Sequence, residues 1–134
     1  MKSSNNSITP VKLLVEEAKK KIEIISSINA NKKVENKDYV FVDIRDIREL
    51  WRDGKIKNSY HAPRGMLEFW VDPSSPYYKK IFSNDKKFIL YCASGWRSSL
   101  ATLTLKNMGM KNIMSLEGGY INWKKNNFPV DVVK

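Results

Sequence analysis

The sequence predicts an α/β fold with a mainly parallel central sheet and helices on both faces. Three short, nearly all-apolar runs carry that reading: Tyr39-Val40-Phe41-Val42-Asp43-Ile44, Phe88-Ile89-Leu90-Tyr91-Cys92 and Asn112-Ile113-Met114-Ser115-Leu116. Runs of this kind mark strands covered on both sides. Stretches with helical periodicity alternate with them over short links, the pattern of a layered α/β domain.

Taken in order, Thr9-Pro10 reads as a helix start, a hydroxyl cap followed by a residue whose fixed φ suits the first turn. Val11, Leu14, Val15, Ala18, Ile22 and Ile25 then recur at helical spacing and form one apolar face. A second short helix is expected over 28–34, and the first strand over 39–44. Helical stretches follow at 46–52, 76–82 and 97–108, the last stopped by Gly109. A weaker strand is expected over 58–61, and Met66-Leu67-Glu68-Phe69-Trp70 reads as a loop packed over the sheet near its ligand-binding end. The strands at 88–92 and 112–116 come next, then a helix over 120–126 behind Gly118-Gly119. The chain is expected to form one globular unit, with 1–37 a helical segment packed against 38–134.

Composition narrows the function. With 134 residues and 15.6 kDa there is room for one core, and 42% hydrophobic against 28% charged residues suits a packed, water-exposed domain. The single cysteine excludes an internal disulfide and a four-cysteine zinc site, so no metal or cofactor is expected. The first residues lead into no apolar signal core and no apolar run is long enough to span a bilayer, which makes a cytoplasmic address, without membrane contact, the expectation. The net charge of +10, from 24 basic and 14 acidic residues, is spread from Lys2 to Lys134. No zinc finger, basic zipper or aromatic RNA-binding motif accompanies it, so it reads as a solvated surface without a nucleic-acid partner.

In sheets of this class the ligand sits beyond the carboxyl ends of the strands. Cys92 stands at such an end, followed by Ala93-Ser94-Gly95-Trp96-Arg97-Ser98 and a helix. Unpaired amides and the positive end of the helix dipole stabilise thiolate over thiol at that position. Gly95 permits a turn that aims successive N–H groups inward as an anion nest, and Arg97 adds a fixed positive charge. Nucleophile and cradle thus occupy six consecutive residues.

This segment resembles the active-site loop of the rhodanese (sulfurtransferase) family. Asp43-Ile44-Arg45-Asp46 resembles that family's first-strand motif, Gly54-Lys55-Ile56 with His61-Ala62-Pro63-Arg64-Gly65 the stretch after it, and Glu117-Gly118-Gly119 with Trp123 the closing motif. Resemblance runs in order over residues 39–129; Lys55 and Lys57-Asn58-Ser59 depart from the pattern of many members. It implies a three-layer rhodanese-like fold and a two-step relay. Cys92 takes sulfur from a small anionic donor such as thiosulfate and holds it as a persulfide. It then passes that sulfur to a thiol, to cyanide or to an acceptor protein. Anionic sulfur in this chemistry needs amide donors rather than a base, so His61 is read as a turn or packing residue. Relatives on the fold that hydrolyse phosphate esters resemble a cradle with five residues between Cys and Arg; four separate Cys92 from Arg97.

Around the cysteine, Arg97 is expected either to bind the donor or to pin the loop through its own carbonyls. Trp96 should face outward, as a lid or a stacking surface. Ser94 and Ser98 are candidate hydrogen-bond donors to bound sulfur. Asp43 ends a buried strand and needs a cationic partner, Arg64 or Arg45, as scaffold. A second functional class stays open, a module that binds an anion or a protein through the same cradle without turnover.

Overall fold

The computed structural model describes residues 7–83 and 85–134; the polar start of the chain lies outside them. Helix α1 (Val11–Lys19) buries Val15 and Ala18 and leaves Val11 and Leu14 exposed. Pro10 occupies its cap position without a side-chain hydrogen bond, so Thr9 is not the cap expected from sequence. The helix also ends six residues before Ile25, where its apolar spacing ran. Glu23–Ile25 instead form strand β1, parallel to a later strand, because an open sheet edge accepts β-branched residues that a helix would only tolerate. Helix α2 (Ser27–Asn31) follows, capped by Ser26 Oγ, which accepts from Asn29 N at 3.1 Å.

Strand β2 (Tyr39–Asp43) leads to α3 (Ile47–Asp53), whose cap is Asp46. Strands β3 (Lys55–Ile56) and β4 (Tyr60–His61) are two residues each. The segment read as a loop at 66–70 is a 3₁₀ turn (Arg64–Met66) running into helix α4 (Leu67–Val71), which buries Leu67 and Val71 under the sheet. Conversely, the helix expected over 76–82 shrinks to one 3₁₀ turn, Lys80–Phe82. Asp72 and Ser75 accept from the amides of Ser74 and Tyr77, a local bonding scheme that competes with helix. Then come β5 (Lys87–Tyr91), α5 (Trp96–Asn107), β6 (Ile113–Leu116), α6 (Gly119–Lys125) and β7 (Val130–Asp131).

Five strands pair in the order β1-β6-β5-β2-β4, all parallel, and β3 with β7 form a separate antiparallel pair that the sequence did not foretell. Alternation along the strands splits the core in two. Val42, Phe88, Leu90 and Cys92 face α4 and α5 with Leu67, Ala101 and Leu105, whereas Phe41, Ile89, Tyr91 and Leu116 face α2 and α6 with Ala30, Tyr120 and Trp123. Two buried faces explain why the three main strands read as unbroken apolar runs. Among the described residues no helix is long and apolar enough to cross a membrane.

Candidate active site

Cys92 follows the last residue of β5, at the carboxyl end of the sheet. Its carbonyl and that of Ala93 accept from the first amides of α6, Tyr120 N at 2.8 Å and Ile121 N at 3.0 Å. The approach is so close that a Cβ on Gly119 would lie 2.6 Å from both carbonyl oxygens, which restricts the position to glycine. With those carbonyls held outward, the loop turns its amides inward. Gly95, at φ +106°, opens α5 and donates its N–H to Cys92 Sγ at 3.1 Å, and Ser98 N donates to the same sulfur at 3.4 Å. Ser98 Oγ completes the cradle at 3.6 Å, as acceptor for the thiol. The sulfur is therefore nearly sealed, Cys92 being 1% exposed, but what seals it includes polar hydrogen.

Of the two serines read as hydrogen-bond donors to bound sulfur, Ser98 stands at the sulfur and Ser94 faces solvent. Trp96 is 44% exposed beside the loop, as expected. Arg97 does not pin the loop through its own carbonyls. Its guanidinium forks onto the carboxylate of Glu49 on α3, through Nη1–Oε1 at 2.9 Å and Nη2–Oε2 at 3.1 Å. That hydrogen bond raises the Arg97 pKa, with the Cys92 sulfur adding a smaller pull, and the same bond holds the Glu49 carboxyl below its ordinary value. A fork of this kind fixes the guanidinium plane as well as its charge.

Beneath the loop lies a buried ion pair. Arg45 donates to Asp43 through Nε–Oδ1 at 2.9 Å and Nη2–Oδ2 at 2.6 Å, with Nη2 also on the Gly54 carbonyl at 2.8 Å. Burial works against the guanidinium's charge, but the bond and charge of Asp43 outweigh it and leave the Arg45 pKa raised. The guanidinium stacks over the Tyr120 ring at 4.3 Å, which ties β2 to α6 and so to the loop carbonyls. Arg64, the other partner considered for Asp43, pairs with Glu68 on α4 at 2.7 Å. His61 Nε2 lies 2.7 Å from the Arg45 carbonyl, a packing contact that secures β4.

The sequence does not single out Glu49, and it marks Gly119 without its approach to the Cys92 loop. Glu49 carries no signal beyond being an acid in the first turn of a helix, and nothing local links it to an arginine 48 positions on. Gly119 had one, the glycine pair before a helix, but the carbonyls it approaches belong to a distant segment.

Comparison with known proteins places this geometry among relatives. The family model described as rhodanese-like domain matches residues 28–126. A solved protein of unknown function from Rhodopseudomonas palustris CGA009, described as a possible tyrosine phosphatase, is 44% identical; the match covers 98% of this chain and 99% of that one, with a TM-score of 0.89. The homodimeric polysulfide-sulfur transferase of Wolinella succinogenes is 32% identical, with 92% of this chain and 88% of that one covered and a TM-score of 0.72. A tRNA uridine(34) hydroxylase from Prochlorococcus marinus (strain MIT 9515) is 34% identical over 102 residues, which are 74% of this chain and 32% of the hydroxylase. The chain thus spans about a third of that relative's length.

Proposed function

The chain belongs to the rhodanese-like domain family, and on that premise we propose that it is a sulfurtransferase that carries a sulfane sulfur on Cys92. The observation that supports this most is the pair of amides, Gly95 N and Ser98 N, aimed at the Cys92 sulfur. In the first step the Cys92 thiolate attacks the outer sulfur of the donor. With thiosulfate, a sulfur–sulfur bond forms at Cys92, the donor's own sulfur–sulfur bond breaks, and sulfite leaves with the electron pair. In the second, a thiolate or cyanide attacks the terminal sulfur and the bonding pair returns to Cys92. Both steps keep negative charge on sulfur, where preorganised N–H donors act without reorganising. Polysulfide is a donor of the same class, in keeping with the name of the Wolinella succinogenes relative.

The phosphatase reading draws on the description of the Rhodopseudomonas palustris neighbour. One feature weighs against it: the cradle has four residues between Cys92 and Arg97. A non-catalytic binding module would have no use for a cysteine held at the focus of the loop. Steady-state assays separate the three. Transfer from thiosulfate to cyanide, read as thiocyanate and lost in Cys92→Ser, is the expected result. Hydrolysis of an aryl phosphate without sulfur transfer would favour the phosphatase, and neither activity with any sulfane donor would favour the module.

A further inference from the structure

Strand β6 is buried along its whole length, and three of its four residues are apolar; the fourth is Ser115. A parallel strand in that position has no backbone need of a hydroxyl, and burying one is unfavourable unless it is bonded. Ser115 lies opposite Leu90 in the register and so shares the sheet face that carries Cys92. Its Oγ is 2.9 Å from Ser98 Oγ, and either can donate. Ser98 Oγ is in turn 3.6 Å from Cys92 Sγ and 3.3 Å from the Gly95 carbonyl. Both serines are all but inaccessible, at 0% and 2% exposure.

We propose that Ser115 is a positioning residue for the Cys92 sulfur, acting through Ser98 to let one hydroxyl serve that sulfur in both of its charge states. This rests on the sulfur-transfer reading for its purpose. When Cys92 is a thiol, its S–H donates to Ser98 Oγ, and the Ser98 proton goes to Ser115 or to the Gly95 carbonyl. When the sulfur is an anion it can only accept, so the Ser98 O–H turns to it and leaves its own lone pairs to be met. Ser115 O–H meets them. The thiol proton leaves to solvent water, and the two hydroxyl protons rotate but stay on their oxygens. The hydrogen-bond chain thus reverses direction as the sulfur alternates between thiol, thiolate and persulfide.

Charged and titratable groups around the loop include Arg97 on α5 with Glu49 of α3, the Asp43–Arg45 pair at the end of β2, His61 at the end of β4 with Arg64 after it, Glu117 after β6, and Lys19 at the end of α1. Every one is unchanged by substitution at 115, so a shift seen there comes from the hydroxyl. Ser115 also borders a cavity of about 70 Å³ shared with Lys19, Ser99 and Glu117, which offers room for one more methyl group.

The test compares Ser115→Thr with Ser115→Val, side chains of one shape that differ in the hydroxyl, and adds Ser115→Ala, which introduces no bulk. Cys92 is the chain's single cysteine, so iodoacetamide alkylation of the full chain reads its ionisation directly across pH. The threonine variant is expected to follow the wild type, and the valine and alanine variants to show midpoints about one pH unit higher, a tenfold change in proton concentration. Should valine fail to fold, alanine against threonine decides. Coincident midpoints in all variants would overturn the proposal. Persulfide formation from thiosulfate, polysulfide and a small persulfide is followed in the same panel by intact mass. A displaced midpoint with no sulfur uptake by the wild type upholds the hydroxyl's role and removes the sulfur-transfer reading, whereas uptake with coincident midpoints does the reverse.

Discussion

Arg97 and Glu49 illustrate how much of the site depends on a residue that is distant in sequence. The guanidinium sits at the rim of the sulfur cradle, and its orientation is fixed by a carboxylate on another helix. Replacing Glu49 with Gln keeps the shape but removes the charge-assisted fork. The expected result is a rise of about tenfold in KM for thiosulfate with a smaller change in kcat, since the group acts on positioning of the anion; steady-state kinetics of the variant check it. The buried Asp43–Arg45 pair is a different case. Both side chains are inaccessible, so Asp43→Ala would strand an uncompensated guanidinium, at a cost of about 3–5 kcal/mol in unfolding free energy by denaturant titration.

At the scale of elements, the loop after β5 has its shape because α6 binds its carbonyls. Gly119→Ala drives a methyl group into two carbonyl oxygens and should displace the loop, lowering stability by about 2 kcal/mol or more and lengthening the Gly95 N to sulfur contact. Helix α5 offers the opposite kind of change. Thr102 Oγ1 is buried and finds no partner among the described residues, so Thr102→Val should raise unfolding free energy by about 1 kcal/mol. The same scale explains what could be read from the chain alone. Strands β2, β5 and β6 were legible because both faces are buried and their apolar runs are continuous. Helices α3 and α5 were legible through their helical spacing, with Gly109 ending α5, and α6 through the glycine pair before it. Strand β1 was hidden because Ile22 and Ile25 happen to continue α1's helical period, and only pairing with β6 reveals Glu23–Ile25 as a strand. Strands β3 and β7, two residues each, pair across more than seventy positions and leave no periodic trace. At the site, the Cys92 loop and the Asp43–Arg45 motif could be recognised because their residues are contiguous. Glu49 and the Ser98–Ser115 contact arise from packing between separate elements.

For the molecule as a whole, charge sets two dependences. A net +10 favours approach of anionic donors, so sulfur uptake from thiosulfate should slow as ionic strength rises from about 0.01 to 0.5 M, with little change for an uncharged sulfane donor. The second concerns acid. Arg97 holds Glu49 below its ordinary carboxyl value, and Arg48 holds Asp46, the cap of α3, down to about 2. A carboxyl lowered by folding adds stability that is complete above its unfolded value, near pH 4, and is lost as pH falls through its folded value. The melting-temperature gap between wild type and Glu49→Gln should therefore be constant at neutral pH and close below about pH 4; a gap that persisted at pH 2 would mean that Glu49 acts otherwise than as a charge. The central claim is that the sulfur at the focus of the Gly95 and Ser98 amides accepts and holds a second sulfur. Intact mass spectrometry of the full chain, before and after exposure to thiosulfate, polysulfide and a persulfide, tests it most directly. The account predicts an added mass of about 32 Da that maps to Cys92, is removed by cyanide and is absent in Cys92→Ser; a mass unchanged by every donor would contradict it.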